Sequence, residues 1–202
     1  MASPSEAVRA AEAVVDLARS RPPTLGPDGR LVCVDGPAGS GKTTLAAAVA
    51  GLTGGHVVHV DELIEGWEGL FDSGDQLASA VRPLAEGRPG SYRAFDWHAY
   101  AFADPVPVPL TPWLVVEGVG SGSPAIADLV TVLVWVSVDD DLRLARGLAR
   151  DGAAAEPHWR RWMVDERALF ARDHTEQRAD VVVDGTGSTA PVVRSRRGGE
   201  AP

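Results

Sequence analysis

The chain has 202 residues, 45% of them hydrophobic, which suffices for one well-cored domain and leaves a second full one unlikely on size alone. A net charge of −9 argues against a broad nucleic-acid-binding face, because such faces need clustered positive charge. No segment approaches the ~20 apolar residues of a membrane span and the first residues lack a signal peptide's pattern, so a cytoplasmic protein without a membrane partner is expected, and the single cysteine, Cys33, excludes an internal disulfide.

Residues 5–19 place Val8, Ala11, Val15 and Ala18 on one helical face, which predicts an amphipathic helix packed on the domain and followed by a linker at Pro22-Pro23, together residues 1–25. Residues 31–35 read as a short buried strand and 44–50 as an alanine-rich helix. Between them runs Gly36-Pro37-Ala38-Gly39-Ser40-Gly41-Lys42-Thr43, which meets the phosphate-loop pattern G-x-x-x-x-G-K-[ST] at every fixed position. Lys42 is the only lysine among 19 basic residues, and a compact ammonium can follow phosphate oxygens where a wide guanidinium cannot. Residues 56–60 predict a second strand ending at Asp61-Glu62, and 75–86 a helix stopped by 87–90. The aromatic and proline-rich stretch 92–111 suggests an irregular segment covering a substrate.

Residues 113–117 and 131–138 are two further apolar strands, separated by a Gly/Ser turn and a short helix near 124–129. A helix over 139–150 carries three arginines, and a longer one over 156–177 carries Trp159, Trp162, Met163, Leu169 and Phe170 as an apolar stripe. A last strand spans 179–184. The alternation predicts an α/β fold, a three-layer sandwich on a parallel sheet over residues 26–185, with residues 186–202 as a disordered tail.

In that strand–loop–helix context the backbone of Gly36, Ala38, Gly39, Ser40, Gly41, Lys42, Thr43 and Thr44 forms a site for a nucleoside triphosphate, with the N–H groups from Gly39 to Thr43 and the helix dipole facing the phosphates and the Thr43 hydroxyl on Mg²⁺. Asp61 and Glu117 end strands at the carboxyl edge of the sheet, where ligands of open α/β folds sit. Asp61 suits the proton of an acceptor hydroxyl and Glu117 the metal, the other reading of each being a helix cap or surface carboxylate. Arg143, Arg146 and Arg150 share a helix face, and one of them is expected at the transferring phosphate, with pairing to Asp139, Asp140, Asp141 or Asp151 as the alternative. Arg160, Arg161 and Arg167 fit a solvated face. Tyr92, Phe95, Trp97 and Tyr100 could stack on a planar substrate or seal the core, and His98 draws notice beside Asp96-Trp97. The histidines show no metal-ligand spacing.

The phosphate loop, Val60-Asp61, Leu84-Ala85-Glu86-Gly87-Arg88, Tyr92 with Phe95-Asp96, Val115-Val116-Glu117-Gly118, Asp141-Leu142-Arg143-Leu144-Ala145-Arg146 through Arg150-Asp151, and Ala179-Asp180-Val181-Val182-Val183 resemble, in that order, uridine kinase and its relatives. The resemblance runs from about Leu31 to Asp184. It implies a P-loop kinase fold, ATP as donor with Mg²⁺, and a nucleoside or similar small hydroxylated molecule as acceptor. It further implies that Asp61 engages the acceptor hydroxyl and that Arg146 or Arg150, in a lid around 143–167, closes on the phosphates. Tyr92, Asp96 and His98 are then candidate acceptor contacts. Asp61-Glu62-Leu63-Ile64 departs from the family's Asp-Asp-Phe-Tyr, and Trp67 is the candidate replacement for the missing aromatic. The lid is short at Gly152 to Ala155. A nucleotide-dependent switch or accessory ATP-binding protein is the alternative, although the chain has no Asn-Lys-x-Asp run for guanine.

Overall fold

The computed structural model describes residues 4–194. In chain order its elements are α1 (Pro4–Arg19), β1 (Arg30–Asp35), α2 (Lys42–Thr53), β2 (His56–His59), α3 (Ser73–Ala85), β3 (Gly90–Asp96), β4 (Ala101–Val108), β5 (Trp113–Glu117), β6 (Val132–Ser137), α4 (Asp140–Asp151), α5 (Glu156–Asp173), α6 (Thr175–Arg178), β7 (Val181–Asp184) and β8 (Val192–Val193). Short 3₁₀ turns occupy Val60–Glu62, Gly69–Asp72, Pro124–Leu129 and Ala153–Ala155.

Six strands make one sheet in the order β2-β5-β1-β6-β7-β8, parallel except for β8. Because side chains alternate along a strand, β1 sends Leu31 and Cys33 to one face and Val32 and Val34 to the other, and both faces are covered. Val32 and Val34 meet Leu45 and Val49 of α2 and Val14, Val15 and Ala18 of α1. Leu31 and Cys33 meet a second core holding Leu77, Val81 and Leu84 of α3 and Trp162 and Leu169 of α5. The result is the expected three-layer arrangement, and it carries the carboxyl ends of β1, β2 and β5 to one edge. Burial raises the Cys33 thiol pKa well above its usual range, so it packs as a small apolar group.

α1 is part of this core. Its buried face is Ala7, Ala10, Ala11, Val14, Val15 and Ala18, whereas Val8, expected on that face, is exposed. The linker is pinned as well: Arg30 Nε donates to the Ala18 carbonyl at 3.0 Å, and Arg21 donates to the Thr131 carbonyl at 2.6 Å and to Asp180 Oδ1 at 2.8 Å.

Three expectations need correction. The stretch 92–111 holds most of an antiparallel hairpin, β3 on β4, rather than irregular chain. Pro105 and Pro107 lack the N–H a central strand needs, but a two-stranded ribbon has only edges and tolerates them. The long helix over 156–177 is broken at His174, which adopts a left-handed φ of 50° and caps α5 through its N–H to the Phe170 carbonyl. Disorder from residue 186 does not hold as far as Arg194. The Asp184 carboxylate accepts from the Thr186 and Ser188 N–H groups at 2.8 and 3.1 Å, and the chain returns as β8 along β7. Residues 195–202, the rest of that expected tail, lie outside the described residues. Among the described residues no helix is long and apolar enough to cross a membrane.

Val14 is fully buried between α1 and the sheet. Val14→Ala should therefore destabilise the whole domain by about 1–3 kcal/mol in one cooperative urea transition. A separate early transition confined to the helix would show α1 to be peripheral.

Candidate active site

The loop from Gly36 to Thr43 turns at the end of β1 and feeds directly into α2. Gly36 lies at φ 140°, and a Cβ there would stand 2.2 Å from the Val136 carbonyl of β6, so only glycine lets the loop leave the sheet this closely. Lys42 is buried with its Nζ donating to the Pro37 carbonyl at 2.9 Å, which holds the ammonium inside the loop's curve. The Ala38 N–H is already committed, donating to Glu166 Oε2 of α5 at 2.9 Å. Gly36 and Ser40 do not line the adjoining cleft. Ser40 is fully buried and its hydroxyl has no partner among the described residues.

A cleft of about 780 Å³ opens beside the loop and brings together Ala38, Gly39, Gly41, Lys42, Thr43 and Thr44 with Asp61, Glu117, Arg146, Arg150 and Trp67. Glu117, buried at the end of β5, accepts from the Thr43 hydroxyl at 3.2 Å, and its same oxygen lies 2.6 Å from His59 Nδ1. That hydrogen bond raises the His59 pKa above its ordinary value against the opposing effect of burial. Asp61 sits in the 3₁₀ turn after β2, with open surface toward the cleft but deep among protein atoms. Burial lifts its carboxyl pKa, opposed by the charge of Lys42 and reinforced by that of Glu117.

The three arginines of α4 differ sharply. Arg143 is buried, with Nε on Asp140 Oδ1 at 2.7 Å and Nη1 in close contact with the fully buried Glu166. It is a packing element beneath the loop and does not line the cleft. Arg146 donates to the Gly39 carbonyl at 3.1 Å and to the Gly185 carbonyl at 3.4 Å. Arg150 forms a two-point pair with Asp151 and lies 5.7 Å above the Trp159 ring, with 69% of its side chain exposed. Arg160, Arg161 and Arg167 pair at the surface with Glu156, Asp165 and Asp140.

Three expected acceptor contacts are not in the cleft. Tyr92 is buried and its hydroxyl donates to Glu62 Oε2 at 2.5 Å. Asp96 is exposed and caps the hairpin turn, accepting from the His98 and Ala99 N–H groups at 2.8 and 3.0 Å, and His98 is exposed beside it. Alternation along β3 turns Tyr92 inward, and the register shift between Arg93 and Phe95 resets its phase, so that Phe95 is also buried and Asp96 is left outside. Of that segment only Trp97 reaches the cleft, donating from Nε1 to the Asp61 carbonyl at 3.1 Å.

Two contributors were missed. His59 is one; its signal was its place two residues before Asp61. The other is Asp35, fully buried, whose carboxylate accepts from the N–H groups of Gly36 at 2.7 Å, Gly120 at 3.0 Å and Gly122 at 2.7 Å. It clamps the turn that follows Glu117 to the start of the phosphate loop. Its signal was an acid closing an otherwise apolar strand.

Burial outweighs those hydrogen bonds and the Lys42 charge, and raises the Asp35 pKa from 3.8 to about 6. A carboxyl raised in the folded state holds its proton more tightly there, so its stabilising contribution is full below the ordinary pKa and is lost as pH climbs through about 6. Relative to Asp35→Asn, which does not titrate, the wild-type chain should lose about 2 kcal/mol in urea unfolding between pH 4 and pH 7. A flat difference across that range would contradict this. Arg143→Met should cost about 3–5 kcal/mol by leaving Glu166 buried without its partner. Adding Glu166→Gln, which keeps an acceptor for the Ala38 N–H, should restore most of that loss.

No family model matches the chain, and no curated protein sequence matches it. Solved structures do. The chain superposes on a candidate fructose transport system kinase from Silicibacter sp. TM1040 with a TM-score of 0.59 and 21% identity over 80% of this chain and 94% of that one. It also superposes on a possible uridine kinase from Bacillus stearothermophilus with a TM-score of 0.56 and 18% identity over 86% and 98%. The chain therefore shares the mixed α/β fold of these two structures, with a mostly parallel central sheet.

Proposed function

We propose that the protein transfers the γ-phosphoryl group of ATP to a hydroxyl of a small molecule with the help of Mg²⁺. The observation that carries this reading is the convergence of Lys42, the Thr43–Glu117 pair and Asp61 on one cleft. A switch protein needs the first two and has no use for an acid on the far side. The two solved structures named above are described as a candidate fructose transport system kinase and a possible uridine kinase, which supports the same chemistry, and the resemblance to uridine kinase makes a nucleoside one acceptor class in view.

The residues fit the metal. Thr43 and Glu117 offer hard oxygen donors at the N-terminus of α2, and Mg²⁺ bound with a nucleotide takes only one or two protein ligands beside phosphate and water. Among the described residues no cluster of three His, Cys, Asp or Glu is placed to hold a metal ion. When bound, Mg²⁺ would offset charge on the β- and γ-phosphate oxygens. Lys42 and the loop amides grip the donor. Asp61 orients the acceptor hydroxyl and takes its proton as the oxygen bonds to the γ-phosphorus and the bond to the β–γ bridging oxygen breaks, releasing ADP. The upward-shifted pKa of Asp61 makes it a better proton acceptor than an ordinary surface carboxylate. Arg146, already on the loop, and Arg150, exposed at the cleft while paired with Asp151, are placed to meet the charge on the moving group.

Asp61→Asn should lower kcat by about 10²–10⁴-fold while ATP affinity, read by calorimetry, stays put. Lys42→Ala should abolish ATP uptake in the same measurement. Unchanged turnover in Asp61→Asn would remove that residue from the chemistry.

A further inference from the structure

The acceptor side of the cleft is walled with indole. Trp67, Trp97, Trp159 and Trp162, four of the six tryptophans in the chain, line it beside Ile64 and Val119. Trp67 is the hub of the wall. Its ring meets Trp97 edge-on at 5.6 Å and 75°, meets Trp162 at 5.7 Å and 81°, and stacks on His158 at 5.5 Å and 19°. Trp159 and Trp162 are buried and serve as backing, while Trp67 and Trp97 are half-buried and keep open ring surface. A cluster that only filled the core would have closed over those two rings as well. The wall also starts at the proposed base, because Trp97 is hydrogen-bonded to the backbone of Asp61.

The polar inventory of that half is sparse. Asp151 is taken by Arg150 and by Trp159 Nε1 at 2.9 Å, and Arg146 is held by two backbone carbonyls. Glu62, one residue from Asp61, is occupied by Tyr92. The Asp61 carboxylate has no hydrogen bond among the described residues, so it is the one acidic group there left open to a ligand. A hexose or a nucleoside brings many hydroxyls, carbonyls or amides, and each one buried without a partner weakens binding. A flat hydrocarbon ring asks for none and gains from offset or edge-on contact with indole.

We propose, resting on the phosphotransfer reading above, that the acceptor is an alcohol whose body is a flat, predominantly apolar ring system, seated on Trp67 and Trp97 with its hydroxyl at Asp61. Specificity then comes from ring surface, with a single hydrogen-bonded oxygen fixing the point of transfer.

The test uses the full chain with Mg²⁺ and ATP and three acceptors: 2-naphthalenemethanol, uridine and fructose. ADP release and the mass of the phosphate ester are followed together. Phosphorylation of 2-naphthalenemethanol with a KM at least tenfold below those of uridine and fructose is expected. Trp67→Ala and Trp97→Ala should each raise that KM tenfold or more with the KM for ATP unmoved, and Trp67→Phe and Trp97→Phe should recover most of the loss. Should the alanine variants fail to fold, quenching of wild-type tryptophan emission by 2-naphthalenemethanol gives the binding directly. Preference for uridine or fructose, or absence of saturable quenching, overturns the ring-bearing acceptor and leaves phosphotransfer standing. Bound ATP with no acceptor-dependent ADP release from any of the three overturns the phosphotransfer reading itself, and this inference with it.

Discussion

Everything at the mouth of the sheet hangs on one buried carboxylate of α5. Glu166 takes the Ala38 N–H with one oxygen and meets the Arg143 guanidinium with the other. Three segments distant in sequence are thereby fixed to each other: the phosphate loop, the first turns of α4, and the middle of α5. Two opposite charges in a dry interior are costly unless paired, and here each has a second partner, Asp140 for the arginine and the loop amide for the acid, while Arg143 Nη1 and Glu166 Oε1 have only their mutual ionic contact. The loop is thus shaped before any ligand arrives, which is the condition under which backbone donors stabilise developing charge without reorganising.

Much of this was legible in the residues. The phosphate loop is a fixed pattern flanked by an apolar strand and an alanine-rich helix, and β1, β5 and β6 stand out as continuous apolar runs because both their faces are covered. Glu117 could be placed at the sheet edge since it ends such a run, and Asp61 since it follows the shorter strand read over 56–60. The hairpin of β3 and β4 was hidden by its prolines, and with it the register shift between Arg93 and Phe95 that lets one strand bury Tyr92 and expose Asp96.

Other features depend on tertiary context that local pattern does not carry. Helical spacing puts Arg143, Arg146 and Arg150 on a common side, but only the packing of α5 over the first turns of α4 decides that one is sealed away, one touches the loop and one reaches water. Asp35 reads as the polar end of a strand until the turn from Gly118 to Gly122 folds back on it. The tryptophans of α5 follow an ordinary apolar stripe. That both also back a cleft follows from where Trp67 and Trp97 arrive from elsewhere in the chain.

The run of chain after Asp184 has a consequence for how the molecule meets its own kind. By laying Val192 and Val193 against β7 in the reverse direction, it replaces the bare four-residue flank of β7 with a stub only two residues long. The opposite flank, β2, is only four residues. Neither border offers enough unpaired amide and carbonyl groups in a row to template a foreign strand, so the sheet is guarded against growing from copy to copy.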